Sequence, residues 1–152
     1  MNLNKSTRFA LYALIALARE APEKLSVMEI AGRFQVSEHH LSKVMQQLTR
    51  FGLVDGLRGA SGGYQLARDP KSITVMDIIR IFEPNTFADE SHMKSGSEAS
   101  GADQACASIR NLFSEISLQV AATFTAVTID TLARQESDAV PAARRTRGEL
   151  IA

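Results

Sequence analysis

Apolar residues fall at steps of three and four through five stretches of the chain. Such spacing gives a helix one face that can be buried. In the first stretch Phe9, Leu11, Leu14, Ile15 and Leu17 form that face, Asn4 or Ser6 supplies the cap, and Pro22 ends the run near Glu20. The second opens with Ser26 and Glu29 in capping-box register and turns Val27, Ile30, Ala31 and Phe34 inward. A short turn at Phe34-Gln35-Val36 leads to Ser37, an N-cap residue, and to a third helix with Leu41, Val44, Met45 and Leu48 inside. Gly52 can take the left-handed conformation that stops it. Two strand-like runs follow, Leu53-Val54 and Tyr64-Gln65-Leu66, joined by the glycine-rich loop Gly59-Ala60-Ser61-Gly62-Gly63. After Asp69-Pro70, the run Thr74 to Glu83 reads as a fourth helix, with a Thr74 and Asp77 cap and Val75, Ile78, Ile79 and Phe82 inward.

The pattern then changes. Residues 85–102 are small, polar and acidic, as expected of a flexible loop. From 103 to 134 the helical spacing returns in Ile109, Leu112, Phe113, Ile116, Val120, Phe124 and Val127. A helix of that length, beside so small a domain, needs a partner to cover its apolar stripe. The same helix of a second chain is the simplest cover. Residues 135–152 read as a disordered tail with a cationic cluster at Arg144, Arg145 and Arg147. The expected domains are therefore 1–84, a loop 85–102, a dimerisation helix 103–134 and the tail. The fold class is mainly α: a winged helix-turn-helix with a two-stranded wing and a long C-terminal helix.

The third helix has an outer face as well as an inner one. His39, Lys43, Gln46 and Arg50 project opposite the apolar stripe, at about 100° per residue. Donors and cations gathered on one side of a short helix have no packing role. They suit a helix lying in a major groove. Arg58 stands at the base of a thin glycine loop, a shape that fits a minor groove. Taken singly, a polar helix face is a solvated face and a glycine cluster is a turn. In this order and at this spacing they point to duplex DNA. The groove-facing set is Ser37, Glu38, His39, His40, Ser42, Lys43 and Gln46, with Arg58 and Ser61 on the wing. Asn4 and Lys5 begin the first helix, where free N–H groups can meet a phosphate.

The stretches LNKSTRFALYALIALA, SVMEIAGRFQVSEHHLSKVMQQLTRFGLV, RGASGGYQLARDP and ITVMDIIRIFEP resemble the bacterial IscR/NsrR (Rrf-two) family of winged-helix transcription regulators. They cover residues 3–84, and SEHHLSKV is most similar to the NsrR branch. The resemblance implies a homodimeric DNA-binding repressor. It also implies a sensor of iron–sulfur status, nitric oxide or redox stress.

That family holds its cluster on three evenly spaced cysteines before the long helix. Cys106 matches the last of them, while Ser100 and Lys94 stand at the other two positions. Arg8 occupies the place of an aspartate that serves the NsrR branch as a ligand. Neither serine nor lysine replaces a thiolate on iron. No cofactor and no metal site are therefore expected. Cys106, in the first turn of the long helix, is the candidate sensor, because unpaired N–H groups there lower a thiol pKa. Two other switches stay open: a small-molecule or protein effector, and an atypical metal or cluster site using Cys106 and His92.

Composition adds bounds. Hydrophobic residues make up 45% of 152, enough for a core, and the single cysteine excludes an internal disulfide. The chain carries no net charge, but residues 1–84 hold 11 Lys and Arg against 8 Asp and Glu, a balance of +3. So modest an excess makes binding depend on placed contacts and on two copies of the reader. No apolar run is long enough for a membrane span, and no signal-peptide pattern opens the chain, so a cytoplasmic location is expected. No catalytic constellation is present, so the chain is not read as an enzyme. A winged helix that binds protein instead of DNA is the alternative from another class.

Overall fold

The computed structural model describes residues 3–59, 62–86 and 102–138, with side chains of the last helices described from 107 to 135. Six helices and one hairpin make up that part of the chain. The first helix, α1 (Lys5–Glu20), is the axis of the core. Its Ala10, Ala13 and Leu14 are fully buried, and the second, third and fourth helices and the hairpin pack around it. Phe9 and Leu11 are only partly covered.

The start of α1 is fixed by a long-range cap. Asn4 Oδ1 accepts from the Thr7 N–H at 2.8 Å, and Asn4 Nδ2 donates to the Phe82 carbonyl at 3.0 Å. Glu83 closes the group: one carboxylate oxygen accepts from the Asn4 N–H at 3.1 Å and from the buried Thr7 hydroxyl at 2.6 Å. A carboxylate at a helix N-terminus satisfies free N–H groups and complements the dipole.

Helix α2 (Val27–Phe34) begins with the full Ser26 and Glu29 capping box. Hydrogen bonds from the Ser26 backbone and hydroxyl hold the Glu29 carboxyl below the usual range. Gln35, with φ of 53°, turns the chain into α3 (Glu38–Arg50), which Ser37 caps. Leu41, Val44, Met45 and Leu48 enter the core. Gly52, at φ 68°, turns the chain away from the end of α3. The hairpin pairs β1 (Val54–Leu57) antiparallel with β2 (Gly63–Leu66), Gly56 opposite Tyr64. Tyr64 also exchanges both backbone hydrogen bonds with Leu25, which ties the wing to the segment before α2.

A single 3-10 turn, Pro70–Ser72, leads to α4 (Val75–Phe82), again with a capping box, from Thr74 and Asp77. The long helix α5 (Ala102–Ala126) follows. The expected helix over 103–134 is two helices, because the chain breaks at Val127-Thr128 and resumes as α6 (Ile129–Asp138). The break has a partner. Val75 N–H bonds the Val127 carbonyl and Ile129 N–H bonds the Ile73 carbonyl, both at 2.9 Å. Ile129 is fully buried, Ala133 nearly so, and Arg19 Nε donates to the Ala133 carbonyl at 3.1 Å. The unit that begins at residue 1 therefore does not close at 84; α6 returns to it and packs on α1. Residues 135–138, read as the start of a tail, are helical. The rest of the tail and most of the 85–102 segment, His92 included, lie outside the described residues.

Candidate nucleic-acid interface

Helix α3 stands at the surface with its capped end free. Ser37, Glu38, His39, Lys43, Gln46 and Arg50 are exposed along it, and Ser42 is half-buried at its edge. Ser37 Oγ accepts from the His40 N–H at 3.4 Å, so its side chain is turned onto the helix end. His40 departs from its neighbours. Its Nε2 lies 3.1 Å from the Ser6 hydroxyl, and its ring meets Phe9 edge-on with centroids 5.0 Å apart. One ring nitrogen is thus committed to docking α3 on α1.

Beside α3 the hairpin carries Arg58, exposed at the end of β1. The loop beyond it needs its glycines. Gly59 sits at φ 118°, and a Cβ on Gly62 would lie 2.6 Å from the Leu57 carbonyl oxygen. Neither position accepts a side chain without strain. Ser61 lies outside the described residues. Between α3 and the hairpin an open concavity of about 330 Å³ is lined by Gln46 and Thr49 on one side and by Leu57, Arg58 and Tyr64 on the other. Thr49 and Tyr64 escaped the reading of the sequence. The concavity they line exists only once the wing leans on α3, a contact that residue spacing does not fix.

The start of α1 is less open than expected. Lys5 is exposed, but Asn4 spends its amide on Thr7 and Phe82, and Glu83 already occupies the helix end. An anion arriving there would meet a carboxylate.

The C-terminal apolar residues divide into two groups. Ile109, Leu112, Phe113 and Ile116 lie exposed along α5, each about half uncovered or more. Phe124 and Val127 instead pack on α4 of the same chain, against Val75, Met76 and Ile79. Val120, between the groups, is half-buried. Those two were expected in the contact between chains; the turn at Val127-Thr128 draws them onto α4. Cys106 is the fifth residue of α5, so its backbone lies past the first turn. The four unpaired N–H groups precede it, which weakens the helix-end argument for a reactive thiol. Its side chain is outside the described residues.

Residues 3–135 match the Rrf2 family, described as iron-dependent transcriptional regulators. The chain belongs to the Rrf2 family. NsrR of Geobacillus kaustophilus is 36% identical over 99 residues, 64% of this chain and 67% of that protein. IscR of Cereibacter sphaeroides is 36% identical over 104 residues, 66% of this chain and 64% of that protein. The regulator BadM of Rhodopseudomonas palustris is 42% identical over 83 residues. The Rrf2 chain spans only about half of BadM's length, 53%. Among solved structures, CymR of B. subtilis, the global cysteine regulator, superposes with a TM-score of 0.75 at 29% identity over 89% of this chain and 98% of that one. IscR of T. potens shares the fold, with a TM-score of 0.70 at 23% identity, over 97% of this chain and 94% of that one. These relatives are transcriptional regulators by name, not enzymes. No described helix is long and apolar enough to cross a membrane.

The donor set of this chain does not fit the cluster common in such regulators. One cysteine is present in the whole sequence, with Lys94 and Ser100 at the other two places. Arg8, on the exposed side of α1, carries no lone pair for iron.

Proposed function

We propose that the chain is a homodimeric, sequence-specific DNA-binding repressor that works without a family-type iron–sulfur cluster. The observation that carries the DNA reading is one surface. The exposed His39, Lys43, Gln46 and Arg50 face of α3 stands beside the narrow wing with Arg58. Helix α3 would enter a major groove and Arg58 the adjacent minor groove. The dimer reading is supported by the α5 stripe, where Ile109, Leu112 and Phe113 are each more than half exposed although apolar. Three such side chains on one face are costly to leave in water, and one reader of this size binds DNA weakly alone.

The test is selection from a randomised duplex pool by the full chain, followed by gel shift. The expected outcome is one enriched motif with two-fold symmetry. Enrichment of no sequence would count against the reading.

For the switch, soft-ligand chemistry supports a cluster-free regulator, because one thiolate cannot hold an iron–sulfur cluster. Protein purified without oxygen should be colourless and bind DNA without iron; stoichiometric iron and sulfide would contradict this. Cys106 is the proposed sensor, and Cys106→Ser should abolish any response of DNA binding to diamide. An unchanged response would pass the role to a small-molecule or protein effector.

A further inference from the structure

The concavity between α3 and the wing has no assigned occupant. It has a cation on its hairpin side, Arg58, an amide on its helix side, Gln46, and no carboxylate among its lining residues. We infer that it seats one sugar–phosphate strand of the duplex, with the Tyr64 hydroxyl as a phosphate donor. The inference rests on the DNA reading above and adds to it a site and a residue.

The geometry of a duplex requires such a seat. A major groove and the minor groove next to it are separated by a single sugar–phosphate ridge. A protein that puts a helix in one and a wing in the other must straddle that ridge. The space between α3 and the hairpin is where the ridge has to run. Contacts made there fix register and orientation and do not read sequence.

Tyr64 is built for this position. It pairs with Gly56 across the hairpin, and a Cβ on Gly56 would come within 3.3 Å of its ring edge. The glycine therefore leaves room for the ring on that face of the wing, an aromatic residue covering a strand glycine. Backbone bonds to Leu25 hold the residue from the other side, at 3.1 and 2.8 Å. Among the described residues no group bonds the phenol, and Tyr64 is one of the residues that line the open concavity. Thr49, opposite, differs: its hydroxyl already donates to the Met45 carbonyl at 2.9 Å, so it offers a methyl group to a sugar. The donors facing the seat are thus Gln46, Arg58 and Tyr64. Arg58 is charged and Gln46 belongs to the base-reading face of α3, whereas Tyr64 is neutral, held by pairing on both sides and outside that face.

A neutral donor leaves a signature that a cation does not. Salt dependence counts the phosphates neutralised by Lys and Arg. Tyr64→Phe keeps the ring over Gly56 and should unfold at the wild-type midpoint. On a duplex selected from a random pool by the full chain, it should bind about three- to tenfold more weakly. The slope of log affinity against log salt should be unchanged. Single methylphosphonates placed along that duplex locate the contact. At one phosphate per half-site, between the helix and wing footprints, wild type should lose affinity and Tyr64→Phe should lose correspondingly less. Wild-type affinity in Tyr64→Phe, a changed salt slope, or full additivity at every phosphate would overturn the inference while leaving the DNA reading intact. Failure of the wild-type chain to select any duplex would remove both.

Discussion

His40 and Ser6 join α3 to the axis of the core: Nε2 of the histidine lies 3.1 Å from the serine hydroxyl, with Phe9 against the ring. Adjacent His39 is exposed. The two histidines should therefore behave oppositely. A part-buried hydrogen bond and an aromatic pair together contribute about 1–2 kcal/mol. His40→Ala should lower unfolding stability by that amount, and Ser6→Ala by part of it. His39→Ala should leave stability within about 0.5 kcal/mol and weaken DNA binding instead. Denaturant unfolding beside a binding titration separates the two; equal stability losses would remove the distinction.

Ile129 gives a second prediction. It is fully buried at the start of α6, and its N–H completes the pairing with Ile73. Ile129→Ala should cost about 2–5 kcal/mol, measured by urea unfolding of the whole transition. A chain ending at residue 127 should lose cooperative unfolding of the α1–α4 unit. Unchanged stability would mean that α6 is an appendage.

That element also marks where the sequence was legible. Three caps could be read locally: Ser26 with Glu29, Ser37, and Thr74 with Asp77 each sit just before an apolar run. The hairpin followed from its glycines. The break at Val127-Thr128 did not, because the apolar spacing runs through it without glycine or proline. Its cause is pairing with residues 73–75, a contact distant in sequence. Thr128 was the local trace, since its hydroxyl accepts from the Thr131 N–H at 3.2 Å as an N-cap would. The outer face of α3 was legible by periodicity, but His40 lies at the boundary of that face. Which way a boundary residue turns depends on what packs beside it, here Ser6 and Phe9. Glu83 was illegible for the same reason: its partners Asn4 and Thr7 lie at the other end of the unit.

The two phenylalanines of α5 should separate. Phe113 is 58% exposed, whereas Phe124 packs against α4. Phe113→Asp should leave folding of the single chain intact and shift sedimentation from dimer to monomer. Phe124→Asp would place an unpaired charge against an apolar cluster and should destabilise the chain itself, by about 3 kcal/mol or more. A Phe113→Asp chain that still sediments as a dimer would move the contact off this stripe.

Arg58 tests the wing. Arg58→Ala should cost about 1–3 kcal/mol on the selected duplex and much less on unrelated DNA. Equal loss on both, with the salt slope reduced by about 1, would make Arg58 a phosphate contact only.

The central claim is that two chains place two α3 helices in successive major grooves of one duplex. Hydroxyl-radical footprinting on the selected duplex tests it most directly, with the stoichiometry of the complex measured in the same solution. The account predicts two protected patches related by two-fold symmetry, centred about 10 base pairs or a multiple apart, with two chains per duplex. A single protected patch with one chain bound, or protection indifferent to sequence, would contradict it.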